Sequence, residues 1–388
     1  MNDQLIGTHG DYHMRVIEKI ADFGKLGALW NGLLENHRSH VPYLCYEWYE
    51  IWLKHYFTED RLLILLLYKN GDLAAIAPFF LNQQKFKGLI KVRKVELIGN
   101  IVSPIRTFIL GSSDGKRRRK QVSAIFNFFL EKFEDWDIID LNSIPEEDTS
   151  WDIIRRTIRQ SALANREYVC FGNWYLDKIN FSGNEYINRR TSNIKNNIKR
   201  YRKKLEKMGK LELKIRSDEE TETILDYHYQ VREKSWKYKD RHYSFHRDLA
   251  GLAKEKGWLR SGFLFLNGVP IASQLWIVCN RVAYIHSLNF DEAYRQFIPG
   301  VILSTEMMKY VIDIDKVIEV DYLRGDEPYK KDWTPNRRER KGITIFNHNL
   351  RGRFLSFLMT GILPIAEKHP YLLSAKNKFS DYLEKKRQ

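Results

Sequence analysis

The chain has 388 residues, 43% hydrophobic and 13% aromatic, so it can bury sizeable cores and is not a disordered chain. A formal net charge of +15 points to an anionic partner: nucleic acid, a phospholipid surface or a phosphate-bearing cofactor. The three cysteines, Cys45, Cys170 and Cys279, are far apart and form no CxxC pair, which excludes a disulfide framework. A cytoplasmic location is therefore expected, with peripheral membrane contact as a variant. The first ten residues hold no apolar signal core, and the apolar run Leu62–Tyr68 is too short to span a bilayer.

Taken in order, residues 1–40 read as a polar lead-in and one helix over Arg15–Leu34. Glu47–Phe57 reads as a short aromatic helix and Leu62–Tyr68 as a continuous apolar strand. Asn70-Gly71 is a strong hairpin signal and Leu73–Leu81 the partner strand. Lys94–Ile98 is a further strand, Val122–Phe133 a helix behind a basic run, Asp137–Leu141 a strand with acids, and Trp151–Ala164 a helix.

From Asn184 the composition turns cationic. Ile194, Ile198, Tyr201, Leu205 and Met208 step by fours and threes, giving one apolar face to a basic helix that Gly209 stops. Leu211–Arg216 is a strand, and helices follow from Asp218 to Lys234 and from Phe245 to Lys256. Gly262–Leu266 and Val269–Val278 form a hairpin around Asn267-Gly268, and Arg281–Asn289 is the next strand. A loop over Ala293–Gly300 leads into a helix over Val301–Ile314, then a strand over Val317–Leu323, and Ile343–Asn347 closes the sheet.

Two echoes suggest that one α/β unit occurs twice. Leu67-Tyr-Lys-Asn-Gly-Asp-Leu resembles Leu264-Phe-Leu-Asn-Gly-Val-Pro, and Asp137-Ile-Ile-Asp140-Leu resembles Glu319-Val-Asp321-Tyr-Leu. In each half a hairpin precedes a helix and then an acid-bearing strand. On the second of these strands Ile318, Val320 and Tyr322 share one face, and Glu319, Asp321 and Leu323 the other. Ionised carboxylates are costly to bury unpaired, so two on one strand face is unusual. The strand runs into Arg324-Gly325-Asp326-Glu327-Pro328 and then Tyr329, Lys330, Lys331 and Trp333. Before the Val301–Ile314 helix lie Arg295, Gln296, Pro299 and Gly300. Free N–H groups at a helix start suit phosphate, and Gly300 lets a ligand approach the backbone.

Residues 181–347 resemble the GNAT-like acetyltransferase domain of the CelD-type, cellulose-biosynthesis family. The resemblance is carried by Arg189–Gly209, Gly257–Arg260, the Asn-Gly hairpin, Pro299-Gly300 and the run from Asp321 to Lys330 with Trp333. Glu47-Trp48 and Ala77-Pro78 extend it to the N-terminal half. The wider set includes Fem-type peptidyltransferases, also built from tandem GNAT-like units. The expected fold is thus α/β (α+β), with tandem GNAT-like acyl-CoA N-acyltransferase domains and mixed sheets flanked by helices. Expected boundaries are 1–180 for a degenerate unit, 181–350 for a catalytic unit and 351–388 for a helical tail.

The resemblance implies an acyl-CoA-dependent acyltransferase, with acetyl-CoA the expected donor and an amine or hydroxyl of a sugar, polysaccharide or envelope precursor as acceptor. The pantetheine would pass between Arg281–Asn289 and Val317–Leu323, with the pyrophosphate at the helix start and Arg295, Gln296, Pro299 and Gly300 as cofactor contacts. Phe297-Ile298-Pro299 stands where the family has a second glycine. Attack on a thioester needs a base, for which Asp321 comes first, then Asp326 and Glu319, then His286. Arg324 could instead pair with one of these acids and lower its pKa. Arg324, Tyr329, Lys330 and Trp333 are expected substrate or cofactor contacts.

The basic run 189–207 could hold the 3′-phosphate of CoA, an anionic glycan, a membrane surface or tRNA. Two other readings stay open: a Fem-type tRNA-dependent aminoacyl or peptidyl transferase, and a non-enzymatic binder of anionic polymer. No metal site is expected. His9 with His13, His37 with His40 and His242 with His246 have no third ligand nearby. Phe354–Ala366 is expected to pack on the domain.

Overall fold

A computed structural model describes residues 5–9, 11–35, 41–58, 60–86, 88, 90–216, 220–235 and 243–362. His37, His40, His242 and the end of Phe354–Ala366 therefore lie outside the described residues. The strands in chain order are β1 (Leu5–His9), β2 (Tyr12–Ile17), β3 (Arg61–Lys69), β4 (Asp72–Phe86), β5 (Ile90–Leu97), β6 (Ile109–Leu110) and β7 (Ile138–Pro145). They continue with β8 (Asn165–Leu176), β9 (Leu211–Arg216), β10 (Leu259–Leu266), β11 (Val269–Cys279), β12 (Val282–Phe290), β13 (Glu319–Asp321) and β14 (Asn336–Phe346). All fourteen join one sheet, in the order β1-β2-β3-β4-β5-β7-β14-β8-β13-β12-β11-β10-β9, with β6 attached to β4.

Within this sheet each half repeats one wiring. Antiparallel strands lead to a parallel pair, β5 with β7 in the N-terminal half and β12 with β13 in the C-terminal half. The strand that follows each pair then crosses over. β8, which comes after β7 in sequence, pairs with β13, and β14, which comes after β13, pairs with β7. β8 and β14 also pair with each other from Asn165↔Ile345 to Tyr175↔Asn336. The two halves are thus stitched through exchanged strands at the centre of the sheet.

Both faces of the sheet are covered, which explains the unbroken apolar run of β3. Leu62, Ile64 and Leu66 join a core shared by both halves, under the helices Gly27–Glu35, Tyr46–Tyr56, Thr221–Glu233 and Tyr243–Glu255. Leu63, Leu65 and Leu67 join a second core beneath Gly115–Glu131 and Thr149–Gln160. On that same side the C-terminal half buries Leu264, Trp276, Met307 and Val320 beneath Ser192–Met208 and Pro299–Asp313. Asn70 and Asn267 adopt positive φ before Gly71 and Gly268, as the Asn-Gly hairpins require.

The lead-in differs from the expected single helix. Tyr12–Ile17 is a strand with Tyr12 and Met14 buried on one face, and Gly24 separates two short helices, Ile20–Phe23 and Gly27–Glu35. β8 has no counterpart among the expected elements. β14 begins well before Ile343 and, rather than closing an edge, lies between β7 and β8.

Candidate active site

The parallel pair of the C-terminal half is interrupted. β12 and β13 align only at Val282↔Glu319, Ala283↔Val320 and Tyr284↔Asp321. β12 runs on to Phe290 while the chain after Asp321 turns away. On its other edge β12 carries a bulge: Leu275 faces Ser287 and Trp276 faces Ile285, so His286 is the extra residue. Bulges re-aim side chains and end pairing. The gap is a cavity of about 280 Å³ lined on one wall by Ile285–Asn289 and on the other by Tyr322, Leu323 and Arg324. Glu327, Tyr329 and Lys330 also line it. Leu323 holds a left-handed φ of 55°, a strained conformation for this residue, at the point where the strands part.

Residues of the lining carry buried polar atoms without a partner. Tyr322 is buried, and its hydroxyl has no hydrogen-bond partner; Asn289 Oδ1 is likewise buried without one. A buried polar atom left unpaired is costly, so a ligand group that pairs with it is favoured. His286 is half-buried, with its ring edge-on to His246 at 5.8 Å between centroids.

The helix Pro299–Asp313 begins behind the slot. Its N-cap, Ile298, is left-handed at φ 50° and gives no side-chain cap. The β-branched residue thus holds a backbone conformation that a glycine would adopt without strain. Gln274, buried on β11, donates to the Gly300 carbonyl at 3.0 Å and to Ser304 Oγ at 2.7 Å, and so ties the helix start to the sheet. Arg295 is exposed and pairs with Glu292 at 3.2 Å; Gln296 is exposed and Pro299 buried. The basic helix Ser192–Met208 packs against the preceding turn Glu292–Phe297, and its Arg202 reaches Glu306 at 3.2 Å.

The acids of β13 face elsewhere. Asp321 is fully buried. Its Oδ1 accepts from Asn173 Nδ2 at 2.6 Å and from the Leu323 N–H at 2.5 Å, and its Oδ2 accepts from Arg338 at 2.5 Å. Arg340 stands 3.7 Å away, and Arg338 also holds Glu319 at 2.6 Å while stacking on Tyr175 at 4.2 Å. Burial lifts the Glu319 carboxyl above its ordinary range despite Arg338 beside it. These acids line a separate cavity with Tyr284, Arg338 and Arg340.

Asp326 lies outside the slot lining. It is gripped by Arg337 at 2.7 and 2.8 Å and by the Trp174 indole at 3.0 Å, and the Arg337 bonds hold its pKa below the usual carboxylate range. Arg324 takes no part in these pairs; its guanidinium stacks over Phe171 at 4.4 Å. Lys330 is buried, with Nζ donating to the carbonyls of Arg324 at 2.6 Å and Gly325 at 3.3 Å. Trp333 is buried in the core beneath the sheet, where its carbonyl accepts from Tyr186 Oη at 2.5 Å. The structure therefore gathers His286, Arg324, Tyr329 and Lys330 at one cavity and sets Asp321 and Glu319 at another. The sequence reading missed Asn173, Arg338, Arg340, Gln274 and Tyr322. Two buried acids on a strand demand cations, and Arg338 and Arg340, two apart on one strand face, were the available signal.

An interrupted parallel pair with a helix starting behind it is the architecture expected of a GNAT-like unit, and the halves form a tandem of such units. Residues 192–331 match the family model described as an acetyltransferase (GNAT) domain. Among solved structures the chain is similar to FemX, at 11% identity over 86% of this chain and 98% of that one, with a TM-score of 0.58. A tandem GNAT protein from the clavulanic acid biosynthesis pathway also matches, at 11% identity over 87% and 99% of the two chains, with a TM-score of 0.49. No curated protein matches the sequence. The FemX likeness shows a shared fold and carries nothing about chemistry. No helix among the described residues is long and apolar enough to cross a membrane.

Proposed function

We propose that the protein is an acyl-CoA-dependent acyltransferase, with acetyl-CoA as donor, acting on an amine or hydroxyl of a sugar, polysaccharide or envelope precursor. The observation that carries this reading is the slot: β12 and β13 pair over three positions and then part around an open cavity. The residues present fit such a donor. Tyr322 and Asn289, which line the slot, each keep a polar atom without a partner, the helix start lacks a side-chain cap, and a cationic helix packs beside it. Acyl-CoA, when bound, supplies an activated thioester.

Beyond Tyr284, β12 presents to the cavity an edge without a strand partner, and its backbone N–H groups are our candidates for holding a developing oxyanion. We assign His286 as the proton acceptor, because it lines the slot where Asp321 and Glu319 do not. Tyr322 holds a proton on the opposite wall. Asp321, Glu319 and Asp326 position the end of β13 and the loop after it. The acceptor class comes from the CelD-type resemblance alone.

Calorimetric titration with acetyl-CoA tests the donor site. Wild type should bind and Gly300→Trp should not, while His286→Gln should keep binding and lose acetyl transfer to water or hydroxylamine, read as free thiol. Absence of heat in wild type, or equal affinity in Gly300→Trp, would overturn the reading. So would tRNA binding that falls steeply with salt in a protein indifferent to acetyl-CoA.

A further inference from the structure

The N-terminal half has its own cavity, of about 650 Å³, where β5 and β7 part after Glu96 and Asp140. Its lining includes Trp52, Tyr56, Phe80, Glu96, Arg106, Ser143 and, from the far half, Arg324. Ile101 and Arg324 line both this cavity and the donor slot, so the two adjoin.

Arg106 is an unusual wall residue. It is 7% exposed, and its guanidinium donates to neutral oxygens: the Gly99 carbonyl at 3.1 Å, the Asn100 carbonyl at 3.5 Å and Ser143 Oγ at 3.4 Å. Its Nε has no partner, and no carboxylate of the described residues lies within ion-pair distance of it. Gly99 makes the room, since a Cβ there would come within 2.7 Å of Arg106 Cδ. Burial pulls the guanidinium's pKa down, and the charges of Glu96 and Asp140, neither of them at ion-pair distance, do not make up for it. Arg324 likewise has no carboxylate partner among the described residues and is held by Phe171. Trp52 adds a third donor: it is buried, and its indole Nε1 has no partner. Of the carboxylates on the lining, Glu96 is taken up by Lys94 at 2.7 Å and Asn82 at 2.6 Å, and Asp60 is the other.

Arginine and tryptophan side chains can only donate hydrogen bonds, so the complementary ligand must bring acceptors. Buried charge is normally paired, and a buried guanidinium facing a cavity is complete only when an anion enters. We propose that this cavity binds an oxyanion, a carboxylate or phosphate, on a ring-bearing small molecule that packs against Trp52, Tyr56 and Phe80. The structure assigns Arg106 and the Trp52 indole to the oxyanion, with Arg324 at the junction toward the slot. We take this ligand to be the acyl acceptor, and in that assignment alone the inference rests on the function proposed above.

The full chain, without any acyl donor, is titrated by calorimetry with glucuronate, glucose 6-phosphate and glucose. At least one of the two anions should bind, with glucose weaker by about tenfold or more, the value of a charge-assisted bond. Comparing glucuronate with glucose 6-phosphate separates carboxylate from phosphate. Arg106→Gln should weaken the anion by about tenfold or more. Trp52→Phe keeps an aromatic ring and removes only the indole donor, so it should weaken binding even where Arg106→Gln fails to fold. No binding of either anion to wild type, equal binding of glucose, or unchanged affinity in the Trp52→Phe protein would overturn the inference. Acetyl-CoA titrated into the same samples separates the two readings: anion binding without acetyl-CoA binding sinks the donor site alone, and the reverse sinks this cavity alone.

Discussion

In the N-terminal half, β5 and β7 part after Glu96 and Asp140, as β12 and β13 part after Tyr284 and Asp321 in the C-terminal half. What enters the gap differs. In the first, the chain after Gly99 folds back into it, and the Arg106 N–H donates to the Ser143 carbonyl at 3.1 Å. In the second, β12 bulges at His286, whereas β4 and β5 keep an unbroken register. The helix starts differ as well. Asp114 caps Gly115–Glu131 by accepting from the Arg117 N–H at 2.8 Å, and so places a carboxylate where a phosphate would go. Ile298 leaves its helix uncapped. One backbone plan thus yields an acid-capped unit whose gap is walled by its own returning chain and an uncapped unit suited to an anionic tether, through a few loop residues.

The acid pairs sharpen this contrast. Lys94, on the same half, binds Glu96 at 2.7 Å and Asp140 at 2.8 Å, whereas Arg338, on an exchanged strand, binds Glu319 and Asp321. Arg338→Ala strips the main cation from a fully buried carboxylate and should cost about 3–5 kcal/mol in urea unfolding. Lys94→Ala should cost less, since Asp140 keeps 8% of its surface exposed where Asp321 keeps none. Equal losses would show that the exchanged strand gives no special anchorage. Next in size, Asp114→Ala should lower stability by about 1 kcal/mol through loss of the cap and leave acetyl-CoA affinity unchanged. A change in that affinity would mean that the first unit binds the donor.

The smallest expected effect is acid sensitivity. Burial would raise Asp140, but Lys94, Tyr168 and Thr344 outweigh it, and Arg93 does the same for Asp137, so both carboxyls are held below the usual range. Folded values below unfolded ones mean a contribution present above about pH 4 and lost as pH falls through the folded values. Glu319 is raised, so its contribution has the opposite sign and grows as pH falls through its folded value. Hydrogen exchange on going from pH 6 to acid should therefore show β7 losing protection before β13; the reverse order would contradict this account.

Much of the fold was legible because local patterns carry it. The strands β10 and β11 around their Asn-Gly turn, Gly209 after the basic helix and the apolar run of β3 each have a near-neighbour cause. The acid-bearing strand was legible too, whereas its place beside β12 and the break in their pairing were expected only from the family resemblance. What escaped is what depends on distant partners. β8 carries Arg166, Glu167, Asn173 and Gly172 on a strand half-buried among charged residues of β14, so it lacks an apolar rhythm. The first half of β14, Asn-Arg-Arg-Glu-Arg-Lys, reads as a solvated loop until Arg338 and Arg340 meet Asp321 across the sheet. The presence of the acids was visible, but their partners are set by register between strands far apart in sequence.

The crossing of β8 and β14 has a consequence for how the molecule is made. The last of the described strands to leave the ribosome takes a place in the middle of the sheet, between β7 and β8. Until residue 346 is synthesised, β7 and β8 each wait with an open edge, exposed to misassociation with other nascent chains. Formation of the native sheet is expected to be late and slow, governed by sequence-distant pairing, and neither half expressed alone should reach it.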